Sequence, residues 1–225
     1  MRAVNKGENP GKEFKKYQDA EPYLENRIGA YCSYCEFPIT HVPEVEHKVS
    51  KSEGGELLEW NNLLLACKYC NSRKNNHIKP DNKGDYLWPD EDDTFHVYSY
   101  KESLPKLNES YLEEQDEEVR RKAQNLYDLV GLGNKPSLEE RDRRFFERVQ
   151  ARNIAEYNRT NWELFKNAEE KYRKPFLENI IQLAKYAGFF STWMDVFADE
   201  EEVKNALADA FVGTRKDIIE MKKSV

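Results

Sequence analysis

The charged stretch from Gly11 to Ile28 predicts a helix, interrupted near Pro22 where a backbone donor is missing. Polar and apolar positions then alternate through Pro43-Glu-Val-Glu-His-Lys-Val49, the two-residue period of a strand. Ser50 to Glu56 reads as a loop, its paired glycines allowing positive φ. Asn61-Asn-Leu-Leu-Leu-Ala66 is too short for an independent helix and suits a second strand or a buried turn, and Cys70 to Asn75, without β-branched residues, opens a short helix. Thr94 to Tyr100 predicts a further strand. Beyond residue 105 the pattern turns helical: Glu109 to Val130, stopped by Gly131-Leu-Gly133-Asn134, then a long helix opened by the capping-box residues Ser137-Leu-Glu-Glu140 and running to Phe165. Further helices are expected over Lys174 to Ala187, Phe190 to Phe197 and Glu200 to Phe211. The order predicts an α+β protein whose strands come early and whose second part is all helix.

Composition narrows the classes. The 225 residues are 39% hydrophobic and 34% charged, with a formal charge of −7. Aromatics at 12% argue against a disordered chain, which lacks large side chains to bury. No apolar run approaches the roughly 18 residues of a membrane span, and the first residues lack the apolar stretch of a secretory signal, so a soluble, cytoplasmic protein with no membrane partner is expected. An acidic total argues mildly against a protein that coats nucleic acid unaided. Between Lys68 and Lys83, however, Lys68, Arg73, Lys74, Lys79 and Lys83 face only Asp81.

All four cysteines fall in two pairs, Cys32-Ser-Tyr-Cys35 and Cys67-Lys-Tyr-Cys70, with 31 residues between the pairs. Two such turns complete a tetrahedron of thiolates, so a structural Zn²⁺ is the leading reading; disulfides and four metal-free buried thiols are the alternatives. A closed four-thiolate site leaves no position for substrate, and its role is to brace what lies between the pairs.

The residues that carry chemistry lie between and just beyond those pairs. Glu46 and His47, adjacent on a strand, project to opposite faces. Glu46 offers a hard carboxylate oxygen and Asn71 an amide oxygen, a set suited to Mg²⁺ or Mn²⁺ rather than zinc. His47, with an ordinary pKa of about 6.5, is a candidate general base. Together Val45-Glu46-His47, Gly54-Gly55, Asn62-Leu-Leu-Leu-Ala-Cys67 and Cys70-Asn71-Ser-Arg-Lys74 resemble the HNH endonuclease motif of ββα-metal nucleases over roughly residues 30 to 76. The resemblance implies that His47 activates water, that Asn62 holds the His47 strand in register, and that Glu46 and Asn71 ligate one divalent metal. Family members often carry Asp or His in place of Glu46 and His in place of Asn71; some add a His where this chain has Asn75, which is carried as a weak third ligand. Lys68, Arg73, Lys74 and Lys79 are the candidate phosphate-binding residues. The layout then becomes a zinc-braced HNH module over 1–105 and an α-helical domain over 106–225 expected to dock a partner.

Other features have plainer readings. His41, His77 and His96 have no supporting neighbours, and Asn61 competes with Asn62 for the positioning role. Arg141, Arg143, Arg144, Arg148 and Arg152 alternate with acids and read as a solvated helix face, with a nucleic-acid track as the lesser reading. Phe189 to Phe197 reads as a core helix, with a partner surface as the lesser reading. The opening Met1-Arg2-Ala3-Val4, with Gly188-Phe-Phe-Ser-Thr-Trp193 and Ala210-Phe-Val-Gly-Thr214, resembles the HNH subunit of Septu-type anti-phage systems, including retron-associated ones (PtuB-like). That resemblance implies a PtuA-like ABC/SMC-type ATPase as partner and, in retron systems, a reverse transcriptase and its DNA product. DNA is the expected substrate. An RNA-cutting toxin and a non-catalytic zinc-knuckle module that only binds nucleic acid are the competing classes.

Overall fold

The computed structural model describes residues 1–102, 104–137 and 142–220. A single turn of 3-10 helix at Tyr17–Ala20 leads into helix α1 (Glu21–Ile28). The expected helix therefore begins later than Gly11. Pro22 starts it rather than interrupting it, because in the first turn proline has no intrahelical partner to lose. Strands β1 (Glu44–His47) and β2 (Leu63–Ala66) pair antiparallel, with Glu46 opposite Leu64 and His47 opposite Leu63. Every residue of β2 is buried, since helices and loops cover both faces of this two-stranded sheet. In the loop between them, Gly54 adopts φ 93°, while Gly55 is needed for space: a Cβ there would lie 2.1 Å from the Val49 carbonyl.

Helix α2 (Lys68–Lys74) starts two residues before the expected Cys70, because the Cys67 sulfur caps it by accepting from the Cys70 backbone N–H. The strand expected over Thr94–Tyr100 shrinks to β3 (Tyr98–Ser99), paired with β4 (Lys106–Leu107). Asp93 accepts from the backbone N–H groups of Phe95 and His96, and that turn withdraws the first residues from pairing. The helix expected over Glu109–Val130 is two: α3 (Glu109–Leu112) and α4 (Glu117–Leu129), divided where Asp116 goes extended.

Five further helices follow among the described residues: α5 (Arg144–Phe165), α6 (Glu170–Ala187), α7 (Phe190–Val196), α8 (Glu201–Ala210) and α9 (Lys216–Glu220). Three of the capping-box residues expected to open α5, 138–140, lie outside the described residues. Asp142 instead accepts from the Arg144 backbone N–H at the start of α5. Pro175 lies only six residues into α6, where little of the helical hydrogen bonding precedes it.

One apolar core runs from Met1 through Leu132 and a second gathers Ala155 to Phe211. Residues 106–132 thus pack with the hairpin module, and the apolar interior changes hands after Leu132 rather than at 105. Phe189, Phe190, Trp193, Met194 and Phe197 are all buried, which removes the partner-surface reading of that segment. Among the described residues no helix is long and apolar enough to cross a membrane.

The three outer segments noted in the sequence converge. Arg2 donates to the carbonyls of Ile28 and Val212 and to Thr214, and Val4 bridges Thr214. Glu36, directly after the first cysteine pair, accepts from the Arg2 backbone N–H and from both the N–H and the hydroxyl of Ser191. This buried carboxylate fastens the start of the chain, the first knuckle and α7 to one another.

Candidate active site

The four cysteine sulfurs lie within 4.8 Å of one another, all buried, which is the donor set of a tetrahedral zinc site. Their thiols are free of disulfides. The first pair follows α1 and the second caps α2, so a metal here would fix α2 against the hairpin.

That brace places a pocket of about 280 Å³ between β1, the loop after it and α2. Its wall includes Glu46, His47, Lys51, Asn71, Lys74 and Asn75, so the structure brings together all four residues expected to hold metal or activate water; Asn62, expected to hold the His47 strand in register, stands behind the wall. Asn62 makes three hydrogen bonds to the loop after β1. Its side-chain oxygen accepts from the Val49 N–H at 2.8 Å, and its amide donates to the carbonyls of Val49 and Glu56 at 3.1 and 3.0 Å. The neighbour of Glu56, Leu57, presents its carbonyl 3.0 Å from His47 Nε2. A carbonyl only accepts, so Nε2 carries the proton and Nδ1 is left with its lone pair. Asn62 therefore orients His47 at one remove, through the loop; Asn61, exposed, makes no comparable contact.

Burial pushes the His47 pKa below 6.5, with Lys51 and Lys74 adding to that effect against the Leu57 carbonyl and Glu46. The imidazole is accordingly neutral near pH 7, the state required of a base. The ring of Tyr17 meets it edge-on at 4.7 Å between centroids.

Glu46 is buried at 1% exposure and points the other way along the strand's alternation. It accepts from the Tyr34 hydroxyl, and its Oε2 lies 3.1 Å from Lys74 Nζ without an aligned hydrogen bond. This oxygen is the one acceptor at the site that is charged and incompletely satisfied, and with the Asn71 oxygen it fits a hard divalent cation. Lys74 already offsets its charge, so the fit is to a weakly held ion. Asn71 donates its amide to Glu44 at 2.8 Å, which turns its oxygen free. Asn75, exposed, ends α2 at φ 39° and gives its backbone carbonyl to Ser50.

The basic residues depart from expectation. Lys74 is 1% exposed; its ammonium donates to the carbonyls of His47 and Lys48 and pairs with Glu46, so it is a strut behind β1 and not a phosphate ligand. Lys68 lines a separate groove beside Ile39 and Arg143, Arg73 turns toward Tyr69, and exposed Lys79 pairs with Glu53. None of those three lines the pocket. Lys51 does, and it was missed: an exposed lysine in a loop carries no signal until the loop is folded over Tyr17, whose ring lies 4.9 Å from its ammonium. Glu44, Tyr34 and the Leu57 carbonyl were missed for the same reason. His96 pairs with Asp93 far along the chain, and His41 and His77 make no contact with the pocket.

Arg144 and Arg148 also depart from expectation, being 4% and 1% exposed instead of lying on a solvated face. Their helix is apolar-facing here because it packs against the knuckles and α7.

Residues 32–77 match the family model described as HNH endonuclease. The match takes in both cysteine pairs and all of the pocket wall except Tyr17. The matched segment supports a nuclease, a hydrolase acting on phosphodiester bonds, and HNH nucleases use divalent metals. Neither the curated proteins nor the solved structures yield a match to this chain.

Proposed function

We propose that the chain is an endonuclease that hydrolyses phosphodiester bonds in DNA with Mg²⁺ or Mn²⁺, using His47 as general base. The observation that carries this reading is that neutral His47, Glu46 and Asn71 all line one pocket whose loop is held by Asn62. His47 Nδ1 takes a proton from water, while the Leu57 carbonyl keeps the ring from rotating and helps to accommodate the positive charge that develops. Tyr17 shields one edge of the ring from solvent, and Lys51 at the mouth is placed to hold a phosphate oxygen. Glu46 and Asn71, with Asn75 beside them, would hold the divalent ion, which supplies neutralisation of the charge on the phosphate and the leaving oxygen. Zn²⁺ in the four-cysteine cluster is structural.

The same reading extends to an effector role in anti-phage defence beside an ABC/SMC-type ATPase. Supporting it are the exposed apolar side chains that α5 and α6 carry, among them Tyr157, Leu164, Tyr172 and Tyr186.

The test is cleavage of supercoiled plasmid with Mg²⁺ or Mn²⁺ by the wild type beside His47→Ala. Nicked or linear DNA from the wild type alone supports the proposal. Cleavage of RNA under the same conditions, with plasmid left intact, replaces DNA as the substrate, and equal cleavage by His47→Ala removes the assigned base.

A further inference from the structure

We infer that Arg144 of α5 is an outer donor to the four-cysteine metal centre, so that zinc affinity is set partly by a helix outside the HNH domain. The inference rests on the sulfurs holding a metal and is independent of the nuclease reading. Arg144 lies 74 residues beyond the last cysteine, yet its Nη1 donates to Cys70 Sγ at 3.2 Å. Its guanidinium stacks over Tyr69, inside the same cysteine turn, at 4.0 Å from the ring centroid. The remaining donors go to the carbonyls of Val130 and Gly131, which close α4, and to Asp142. A side chain with this many fixed partners is held in one geometry, with one N–H aimed at a sulfur.

The charges agree. Four thiolates and Zn²⁺ carry a net charge of about −2, and burying that without compensation is costly. Arg148, one turn further along α5, is buried with its Nε and one terminal nitrogen unpartnered among the described residues. Asp142 offsets Arg144 and the Glu36 carboxylate is shared with the backbone of Arg2 and with Ser191, so α5 brings surplus positive charge toward the knuckles. With four neutral thiols, the Glu36 carboxylate would be the charged acid left to answer Arg148. A metal-bound, anionic sulfur set answers it, and an N–H donated to a coordinated sulfur lowers the electron density that the sulfur must give to the metal.

The experiment compares the full-length wild type with Arg144→Met, Arg144→Lys and, as a control on the same helix, Arg159→Met. Zinc affinity is read by competition with a chromophoric chelator, and the thiolate-to-metal charge-transfer bands are read after Co²⁺ substitution. Arg144→Met is expected to weaken zinc binding about 10–100-fold, the usual cost of losing an outer-shell partner. Its cobalt bands should move to lower energy as the sulfur regains electron density, a change that loosened packing alone does not produce. Arg159→Met should match the wild type on both measures. Zinc affinity within twofold of wild type and unmoved cobalt bands in Arg144→Met overturn the inference, as does a wild type that takes up neither metal stoichiometrically. Should Arg144→Met fail to fold, Arg144→Lys decides on the same readouts: weaker zinc binding with shifted bands supports the inference, and wild-type behaviour overturns it.

Discussion

The cysteine cluster and the pocket beside His47 belong to the same hairpin and helix, but they are built for cations in opposite ways. The cluster offers four identical soft donors, all buried and close together, with an arginine supporting them from behind. The pocket offers one carboxylate and neutral amide oxygens, and a buried lysine already leans on the carboxylate. The first arrangement closes around an ion and holds it permanently. The second leaves room for water and phosphate, and under the proposed function it would hold a hard ion loosely enough to exchange. A site that must let substrate in and product out is better served by the second, provided the first keeps its walls in place.

Breaking the tighter site should therefore do the most damage. Cys70→Ser, or prolonged chelation, is expected to release zinc and unfold the hairpin module cooperatively, since apparent metal-binding energies of about 10–16 kcal/mol are folding energy in such sites. Circular dichroism with and without chelator checks this; an unchanged melt after the zinc is gone would refute the brace. His47→Ala comes next. Cleavage should fall by roughly 10²- to 10⁴-fold, the share usually owed to a general base, with an unchanged thermal melt.

Glu46 sharpens the comparison because it pairs with a buried lysine and is also the proposed metal ligand. Glu46→Leu leaves the Lys74 ammonium buried without its carboxylate, which should cost about 3–5 kcal/mol. Adding Lys74→Met should restore most of that stability, as apolar replacements of buried pairs often do, while leaving cleavage absent. Denaturant melts and plasmid cleavage on the two variants separate the roles. If the double variant cut DNA, Glu46 would be structural alone.

How legible all this was depends on how far apart the partners lie in sequence. The hairpin site was readable because its chemistry is compressed into residues 32–77 with fixed spacings: two cysteine turns, a strand bearing Glu46 and His47, and a helix bearing Asn71. Phe189 to Phe197 was readable because a dense apolar run has few places to go but inward. Arg144 and Arg148 were misread because charges alternating along a helix look the same whether the helix faces water or a thiolate cluster. Only the packing of α5 against residues some seventy positions earlier decides it. Lys74 and Lys51 exchanged places for a similar reason: both are lysines near the site, and the fold buries the one on the helix and leaves the one in the loop.

A buried network apart from both sites gives a pH test. Burial alone would raise the Asp90 carboxyl, but Lys6 and Lys48, each donating to it or lying within 3 Å, hold it below its ordinary 3.8. A carboxylate with a depressed folded pKa adds stability that is fully present above the unfolded value and is lost as pH falls through the folded one. Melting temperature should therefore drop steeply below about pH 4 in the wild type. Asp90→Asn should be less stable at pH 7 by about 1.5–3 kcal/mol, because Lys48 keeps Glu91 and Lys6 keeps the carbonyls of Trp60 and Leu63. Its acid limb should be flatter, and parallel limbs for the two proteins would place the acid sensitivity elsewhere.

The smallest effect concerns the mouth of the loose site. Lys51 is exposed, sits over Tyr17 and is the one lysine of the pocket wall whose ammonium is not committed to the protein's own carbonyls and carboxylates among the described residues. Its energy toward a phosphate is that of an exposed charge, screened by salt over about 10 Å at 0.1 M. Lys51→Ala is thus expected to lower cleavage only several-fold, to act on KM more than on kcat, and to make cleavage less sensitive to added salt by about one counterion. The same substitution at Lys79, outside the pocket and paired with Glu53, should leave KM and its salt slope at the wild-type values. Equal losses at the two lysines would mean that phosphate is gathered by the general field of the basic stretch. A loss confined to Lys51 would locate the scissile phosphate beside Tyr17 and His47, where the neutral imidazole is waiting for its proton.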